Sequence, residues 1–345
     1  MGKLEEQFVR AQQVIANLTT SVPLMLMTRE RIKEFERQSA ADPLIATLSN
    51  ELEKQLRHIK RPEDFIAMSQ AYEVYAEAST CMLLSQRGIQ LKRTPGTGKH
   101  KQKRPDFMHD HSSGVVYFEV KALDIAEKIS RHEEIAYDGL AVASDLAGRA
   151  KGPGVYFAEQ SISGHKPDAG TAERIDETIK RIANTIKPEQ INFGPSVLVV
   201  DLGRLPIPPL GASQLLPVFF HDGPPAEACV SGELWQIALG KAGEHIFELP
   251  DFDGKTNIGG HQSEEGILHR FPQLLAITFQ FPGLSKPPEL FTIWNMRADP
   301  TALGTPLGLS EHELGNVFSA YSDGLNDSRN ELGWPYRIFP QRPAR

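Results

Sequence analysis

Cysteine is scarce in this sequence. Only Cys81 and Cys229 occur among 345 residues, and neither belongs to a C-x-x-C pair. This low count disfavours a disulfide framework and a cysteine-rich structural zinc site. We therefore expect a protein of a reducing compartment, and a cytoplasmic location.

Long apolar runs are also missing. The run at residues 22–27 is too short to cross a bilayer. The first six residues carry neither the apolar segment of a signal peptide nor a myristoylation pattern. We therefore expect no membrane partner.

Several catalytic signatures are incomplete or absent. The His-Glu pairs at 132–133 and 312–313 lack the second histidine of the H-E-x-x-H zinc motif. Gly98-Lys99-His100 lacks the hydroxyl residue and the earlier glycine of a phosphate-binding P-loop, and no G-x-S-x-G occurs. Zinc-protease, P-loop and serine-hydrolase chemistry are therefore disfavoured.

Positive charge is in deficit overall but concentrated in one place. The net charge is −7, which by itself argues against a general nucleic-acid binder. One segment nevertheless holds six basic residues and no acidic one: Lys92, Arg93, Lys99, Lys101, Lys103 and Arg104. Taken alone, such a run is typical of a solvated loop. Beside a metal site, it is suited to holding a phosphate backbone.

The basic segment leads into two short acidic motifs. Pro105-Asp106 is followed, after a short gap, by the apolar run Val115-Val116-Tyr117-Phe118, which ends in Glu119-Val120-Lys121. Residues two apart on a strand share a face, so Glu119 and Lys121 are expected side by side, with Asp106 near them. The pattern predicts a metal site with an ammonium group beside it. The simpler alternative is an ion pair on a sheet edge.

A long helix is predicted before these motifs. Pro62 and the acids after it indicate a helix beginning near residue 63, and Gly88 indicates its end. This helix carries Glu77. Three strands are then predicted at 89–94, 105–108 and 115–123, with a turn at 109–114 between the last two.

Other elements are predicted on both sides of this core. Helices are expected at 4–17, 28–38, 43–58, 124–150, 171–187, 226–241 and 310–321. Further strands are expected at 154–158, 196–202, 274–279 and 290–296. The order predicts an α/β protein.

The arrangement of Glu77, Asp106, Glu119 and Lys121 resembles the PD-(D/E)xK nuclease superfamily. The resemblance covers residues 62–202, and its helix spacing is similar to that of Holliday-junction resolvases. It implies a restriction-endonuclease-like core, αβββαβ, with a central mixed sheet flanked by helices. We expect an N-terminal helical region at 1–61, the core with additional elements at 62–300, and a C-terminal helix and tail at 301–345.

The resemblance also implies a chemistry. Asp106, Glu119, Glu77 and the Val120 carbonyl would hold Mg²⁺, with Mn²⁺ as a substitute, and Lys121 would act on the attacking water or the phosphate. Such a site hydrolyses phosphodiester bonds of DNA. The basic segment would then bind the DNA backbone.

Two other interpretations stay open at this stage. The same fold without catalysis would serve as a DNA-binding or protein-binding subunit, and Glu119-x-Lys121 in an unrelated α/β scaffold would be incidental. The overall acidity favours either a homodimer that pairs its basic segments or a partner protein that delivers the substrate.

Overall fold

The computed structural model describes residues 2–15, 27–95, 104–123, 171–203, 218–220, 229–231, 233–243, 245–247, 258–281, 289–295, 306–309, 313 and 317–318. The chain divides into two compact units. The first comprises Met1–Met82, Asp124–Gly164 and Gly203–Pro206, and the second comprises Leu83–Leu123, His165–Leu202 and Ile207–Arg345.

Helices form the described part of the first unit. They are α1 (Lys3–Ile15), α2 (Arg29–Gln38), α3 (Pro43–His58) and most of α4 (Phe65–Gln86). Thr28 and Asp42 cap α2 and α3 by accepting N–H groups of the first turn. The apolar stripes of these helices are fully buried, as at Phe8, Ile32 and Leu52. The expected N-terminal helices are therefore confirmed.

Helix α4 begins later than predicted. Asp64 accepts the N–H groups of Lys60 and Arg61 at 2.7 and 2.8 Å, which holds residues 60–64 in a turn. Its end is as expected: Gly88 has a φ of 89° and stops the helix.

The second unit is built on a mixed sheet. Strands of the chain are β1 (Lys92–Arg93), β2 (Phe107–His111), β3 (Gly114–Ala122), β4 (Ser196–Asp201), β5 (Val218–Phe220), β6 (Cys229–Ser231), β7 (His245–Phe247), β8 (Ile258–His261), β9 (Leu274–Phe281) and β10 (Glu289–Trp294). Six of them form one sheet in the order β1-β2-β3-β4-β9-β10. The β3–β4 and β4–β9 pairs are parallel, and the β1–β2, β2–β3 and β9–β10 pairs are antiparallel.

Helices flank this sheet. They are α5 (Thr171–Thr185), α6 (Pro188–Ile191), α7 (Glu233–Leu239) and α8 (Ile267–Arg270). Every residue of β4 is buried, as expected for a strand between two parallel neighbours. An α/β architecture with a mixed sheet is therefore confirmed.

Some expected elements differ from the structure. The turn predicted at 109–114 is only Ser112-Ser113, because β2 continues to His111. The strand expected at 89–94 shortens to β1, and the helix expected at 226–241 is a short strand followed by α7. The elements predicted at 124–150 and 154–158 lie outside the described residues, as does most of 310–321.

None of the described helices is both long and apolar enough to span a membrane.

Candidate metal and active site

The acidic motifs meet on the third strand of the sheet. Phe107 of β2 pairs with Phe118 of β3, so the next pair outward is Asp106 opposite Glu119. Directly opposed residues of an antiparallel pair share a face, and Lys121 shares that face with Glu119. The structure therefore brings Asp106, Glu119 and Lys121 together.

Backbone hydrogen bonds lock the two carboxylates across the strands. The Val120 N–H donates to Oδ2 of Asp106 at 2.9 Å, and the Asp106 N–H donates to Oε2 of Glu119 at 3.2 Å. The Lys121 ammonium donates to Oε1 of Glu119. Each acidic side chain is thus held by the strand that carries the other.

The site lies in the interior of the sheet. The side chain of Glu119 is 1% exposed and that of Lys121 is 17% exposed. The ion pair of Lys121 with Glu119 is present, but β3 lies between β2 and β4, so the expected location at a sheet edge is wrong. Burying a net negative cluster is costly unless a cation compensates it.

The pKa values of both acids reflect this burial. Burial and the neighbouring Asp106 charge raise the pKa of Glu119 to about 7, although Lys121 lowers it. Burial also raises the pKa of Asp106, against the lowering effects of Lys121, the Val120 N–H and Arg93. Ionising both carboxyls together is therefore costly, and a bound divalent cation would favour their charged forms.

The Asp106 carboxylate and the Val120 carbonyl provide oxygen atoms suited to binding a cation. The Asp106 carboxylate accepts a backbone hydrogen bond from Val120 through Oδ2. The N–H and C=O of a strand residue point toward the same neighbour, so the Val120 carbonyl faces the β2 side beyond the last paired residue, Phe107. Carboxylate and carbonyl oxygens are the ligands that Mg²⁺ prefers.

No larger cluster accompanies the pair. Among the residues that the structure describes, no three His, Cys, Asp or Glu side chains come together as a metal site. Mg²⁺ commonly keeps several waters and is bound through only one or two protein carboxylates. The donor set of Asp106, Glu119 and Val120 therefore fits Mg²⁺ better than a transition metal.

Glu77, the fourth acidic residue of the motif, lies in the first unit. It is a half-buried residue of α4, one turn after the exposed Glu73. Its membership of the site stays a prediction.

The basic segment begins and ends beside the acidic pair. Thr94 N–H donates to the carbonyl of Asp106 at 3.3 Å, and the Arg104 guanidinium donates to the carbonyl of Pro95. The described basic residues have local partners: Lys92 is 3.8 Å from Asp110, and Arg93 lies 4.8 Å from the ring centre of Phe107. Lys99, Lys101 and Lys103 lie outside the described residues.

One feature near the site was not anticipated from the sequence. The ring of Phe193, in the loop before β4, meets the ring of Tyr117 edge to face, and Arg104 lies over it. The Phe193-Gly194 dipeptide before an apolar strand was the available signal in the sequence.

His109 lies on the opposite face of the sheet from Asp106, and its ring contacts the Gln90 carbonyl at 2.8 Å.

Comparison with known proteins gives no match: no family model, no curated protein and no solved structure is similar to this chain.

Proposed function

We propose that this protein is a Mg²⁺-dependent nuclease that hydrolyses phosphodiester bonds of DNA. One observation carries the proposal: Asp106 and Glu119 are locked together across β2 and β3, with Lys121 on the same face. Carboxylates can hold the metal ion that assists phosphodiester hydrolysis, and a lysine beside them is suited to orient the attacking water or to stabilise the phosphate charge.

The order of elements supports a restriction-endonuclease-like core. Among the described residues, helix α4, strands β1 to β3, helix α5 and strand β4 occur in the order αβββαβ, with the short helix α6 between α5 and β4. The three strands pair antiparallel in sequence order, and β4 joins β3 in parallel. In that core the motif residues belong at the start of the second strand and in the later part of the third; Asp106 immediately precedes β2, and Glu119 lies three residues before the end of β3.

Each residue has a defined part in this proposal. Asp106, Glu119 and the Val120 carbonyl would hold the cation, and the sequence motif predicts Glu77 as a further ligand. A bound Mg²⁺ neutralises the attacked phosphate and activates water. Lys121 orients the attacking water or stabilises the charge on the phosphate, and its ion pair with Glu119 fixes its ammonium at the site.

Electrostatics support DNA as the substrate. The basic segment is anchored at Pro95 and Arg104, and the latter is two residues from Asp106. A phosphate backbone bound by this segment would be delivered to the acidic pair.

A second candidate function follows from the ion pair itself. Because Lys121 already compensates Glu119 without a cation, the same site is compatible with a non-catalytic DNA-binding or protein-binding subunit. Such a subunit would bind without hydrolysis, and Asp106 would matter only for stability.

Hydrolysis by site variants separates the two candidates. Supercoiled plasmid, linear duplex and single-stranded DNA are incubated with the purified chain and Mg²⁺, Mn²⁺ or chelator. We expect metal-dependent cleavage that falls about 10²–10⁴-fold in Asp106→Asn and Glu119→Gln. The matched control is Asp110→Asn, an exposed acid of β2, which should cleave as the wild type does. Cleavage that persists unchanged in both site variants would overturn the assignment.

A further inference from the structure

An exposed aromatic side chain lies beside the acidic pair. Among the described residues only two large apolar side chains are exposed, Ile66 at 55% and Phe193 at 36%. Aromatic residues, phenylalanine among them, are enriched in binding surfaces. Phe193 is therefore a candidate contact for a ligand.

The surroundings of Phe193 hold its ring in place. The rings of Tyr117 and Phe193 have centroids 5.1 Å apart and planes at 83°. Gly194 makes this packing feasible, because a Cβ there would lie only 2.7 Å from the Tyr117 ring. The ring is thus presented in a fixed orientation.

A positive charge accompanies the ring. The Arg104 guanidinium lies 5.3 Å from the centroid of Phe193, and Gln190 fixes this segment by donating to the Arg104 carbonyl at 3.0 Å. An aromatic ring beside a guanidinium offers a stacking surface and a cation together. Proteins bind single-stranded nucleic acid with this combination.

Tyr117 connects the Phe193 ring to the strand that carries Glu119 and Lys121. Tyr117 precedes Glu119 by two residues on the same face of β3, which places the two Cα atoms about 7 Å apart. A base stacked at Phe193 would therefore lie on the same face of the sheet as Asp106 and Glu119.

We infer that Phe193, supported by Tyr117 and Arg104, forms a stacking subsite for an unpaired base, so that the preferred substrate is single-stranded DNA. A paired base is stacked within its own duplex and cannot reach the ring without being extruded, which costs a few kcal/mol. This inference rests on the proposed nuclease function.

Binding without cleavage tests the subsite. Anisotropy of a fluorescein-labelled single strand, and of a blunt duplex of the same sequence, is measured with chelator present. Loss of one stacked base should weaken single-strand binding about 5- to 100-fold in Phe193→Ala. Phe193→Leu keeps the apolar volume without the ring and should show most of that loss, whereas Phe193→Trp should retain binding. Ile66→Ala is the control for removal of an exposed apolar side chain and should bind normally.

The outcomes separate this inference from the proposed function. If Phe193→Ala or Phe193→Leu binds the single strand as well as the wild type, or loses duplex binding equally, the stacking subsite is wrong. The same holds if the wild type does not bind the single strand. If the wild type cleaves DNA but Phe193→Ala binds the single strand normally, the nuclease function is supported and the stacking subsite is wrong. If Phe193→Ala selectively loses single-strand binding but the wild type shows no metal-dependent cleavage, the stacking subsite is supported and the nuclease function is wrong.

Discussion

The Asp106 N–H donates to Oε2 of Glu119, the residue directly opposite it at the start of the β2–β3 pairing. The Val120 N–H returns a bond to the carboxylate of Asp106. Neither carboxylate can turn away without losing a backbone partner, so the pair is preorganised before any cation or substrate binds. Preorganised charge of this kind is the main source of electrostatic catalysis.

The raised pKa of Glu119 predicts a pH-dependent stability. Its ordinary value of 4.5 rises to about 7 in the folded protein, so between these pH values the folded state binds more protons than the unfolded state. The free energy of unfolding should therefore fall as pH rises from about 4.5 to about 7, and level off above. Urea denaturation at several pH values, with chelator, measures this trend. In Glu119→Gln the fall should be smaller, and an equal fall in both proteins would contradict the prediction.

Mg²⁺ should stabilise the protein through the same pair. Ligand carboxylates must lose their protons to bind a metal, so the increase in Tm with Mg²⁺ should be larger at pH 8 than at pH 6. A concentration a hundredfold above the Kd would contribute about 2.7 kcal/mol. Differential scanning fluorimetry measures the shift, which Asp106→Asn should abolish and Asp110→Asn should keep. A larger shift at pH 6 than at pH 8 would argue against coordination by these carboxylates.

Replacing Lys121 should strongly reduce the rate of DNA cleavage. Its charge lowers the pKa of both Glu119 and Asp106, so Lys121→Met should raise both values and reduce DNA cleavage about 10²–10⁴-fold at pH 7. Lys180→Met is the matched control, because Lys180 is an exposed lysine of α5 paired with Glu264 at 3.3 Å. Single-turnover cleavage rates from pH 6 to pH 9 measure the effect. Equal rates in the two methionine variants would remove Lys121 from the active site.

Asp176 should be important for stability alone. This buried residue of α5 accepts the N–H groups of Ser263 and Glu264 at 2.9–3.0 Å, and also the Ser263 hydroxyl. Asp176→Ala leaves these donors unsatisfied and should reduce the free energy of unfolding by about 3 kcal/mol. Glu173→Ala, at an exposed position of the same helix, should change it by about 0.5 kcal/mol or less. Urea unfolding compares the two, and similar losses would refute the role given to Asp176.

Gly88 should be difficult to replace because of its backbone conformation. Its φ of 89° is unfavourable for residues with a Cβ, although a Cβ there would meet no atom within 4 Å. Gly88→Ala should therefore cost about 1–2 kcal/mol of stability, and Gly88→Asn less, since asparagine tolerates this conformation better. Chemical denaturation of both variants gives the order, and an alanine variant as stable as the wild type would contradict it.

The acidic hairpin was predictable because its signals are local. The alternation from Val115 to Lys121 fixes which residues share a face, and Pro105-Asp106 marks where the preceding strand begins. The short strands β5 to β8 were not predictable, since three or four residues carry no period and their pairing depends on distant partners. Phe193 was missed for a related reason: a single exposed ring has no pattern, and its significance depends on Tyr117, far away in sequence.

The local origin of the acidic pair also bears on how the protein folds. Asp106 and Glu119 are 13 residues apart along the chain, whereas the parallel pairing of Tyr117 with Ser196 closes a much longer loop. Closing the shorter loop costs less chain entropy, so we expect the β2–β3 hairpin to form before β4 joins it. Pulse-labelling hydrogen exchange during refolding would then protect the amide of Val116 earlier than that of Val199. In that order of events, the carboxylates are paired at an early stage, and the later strands only remove water from them.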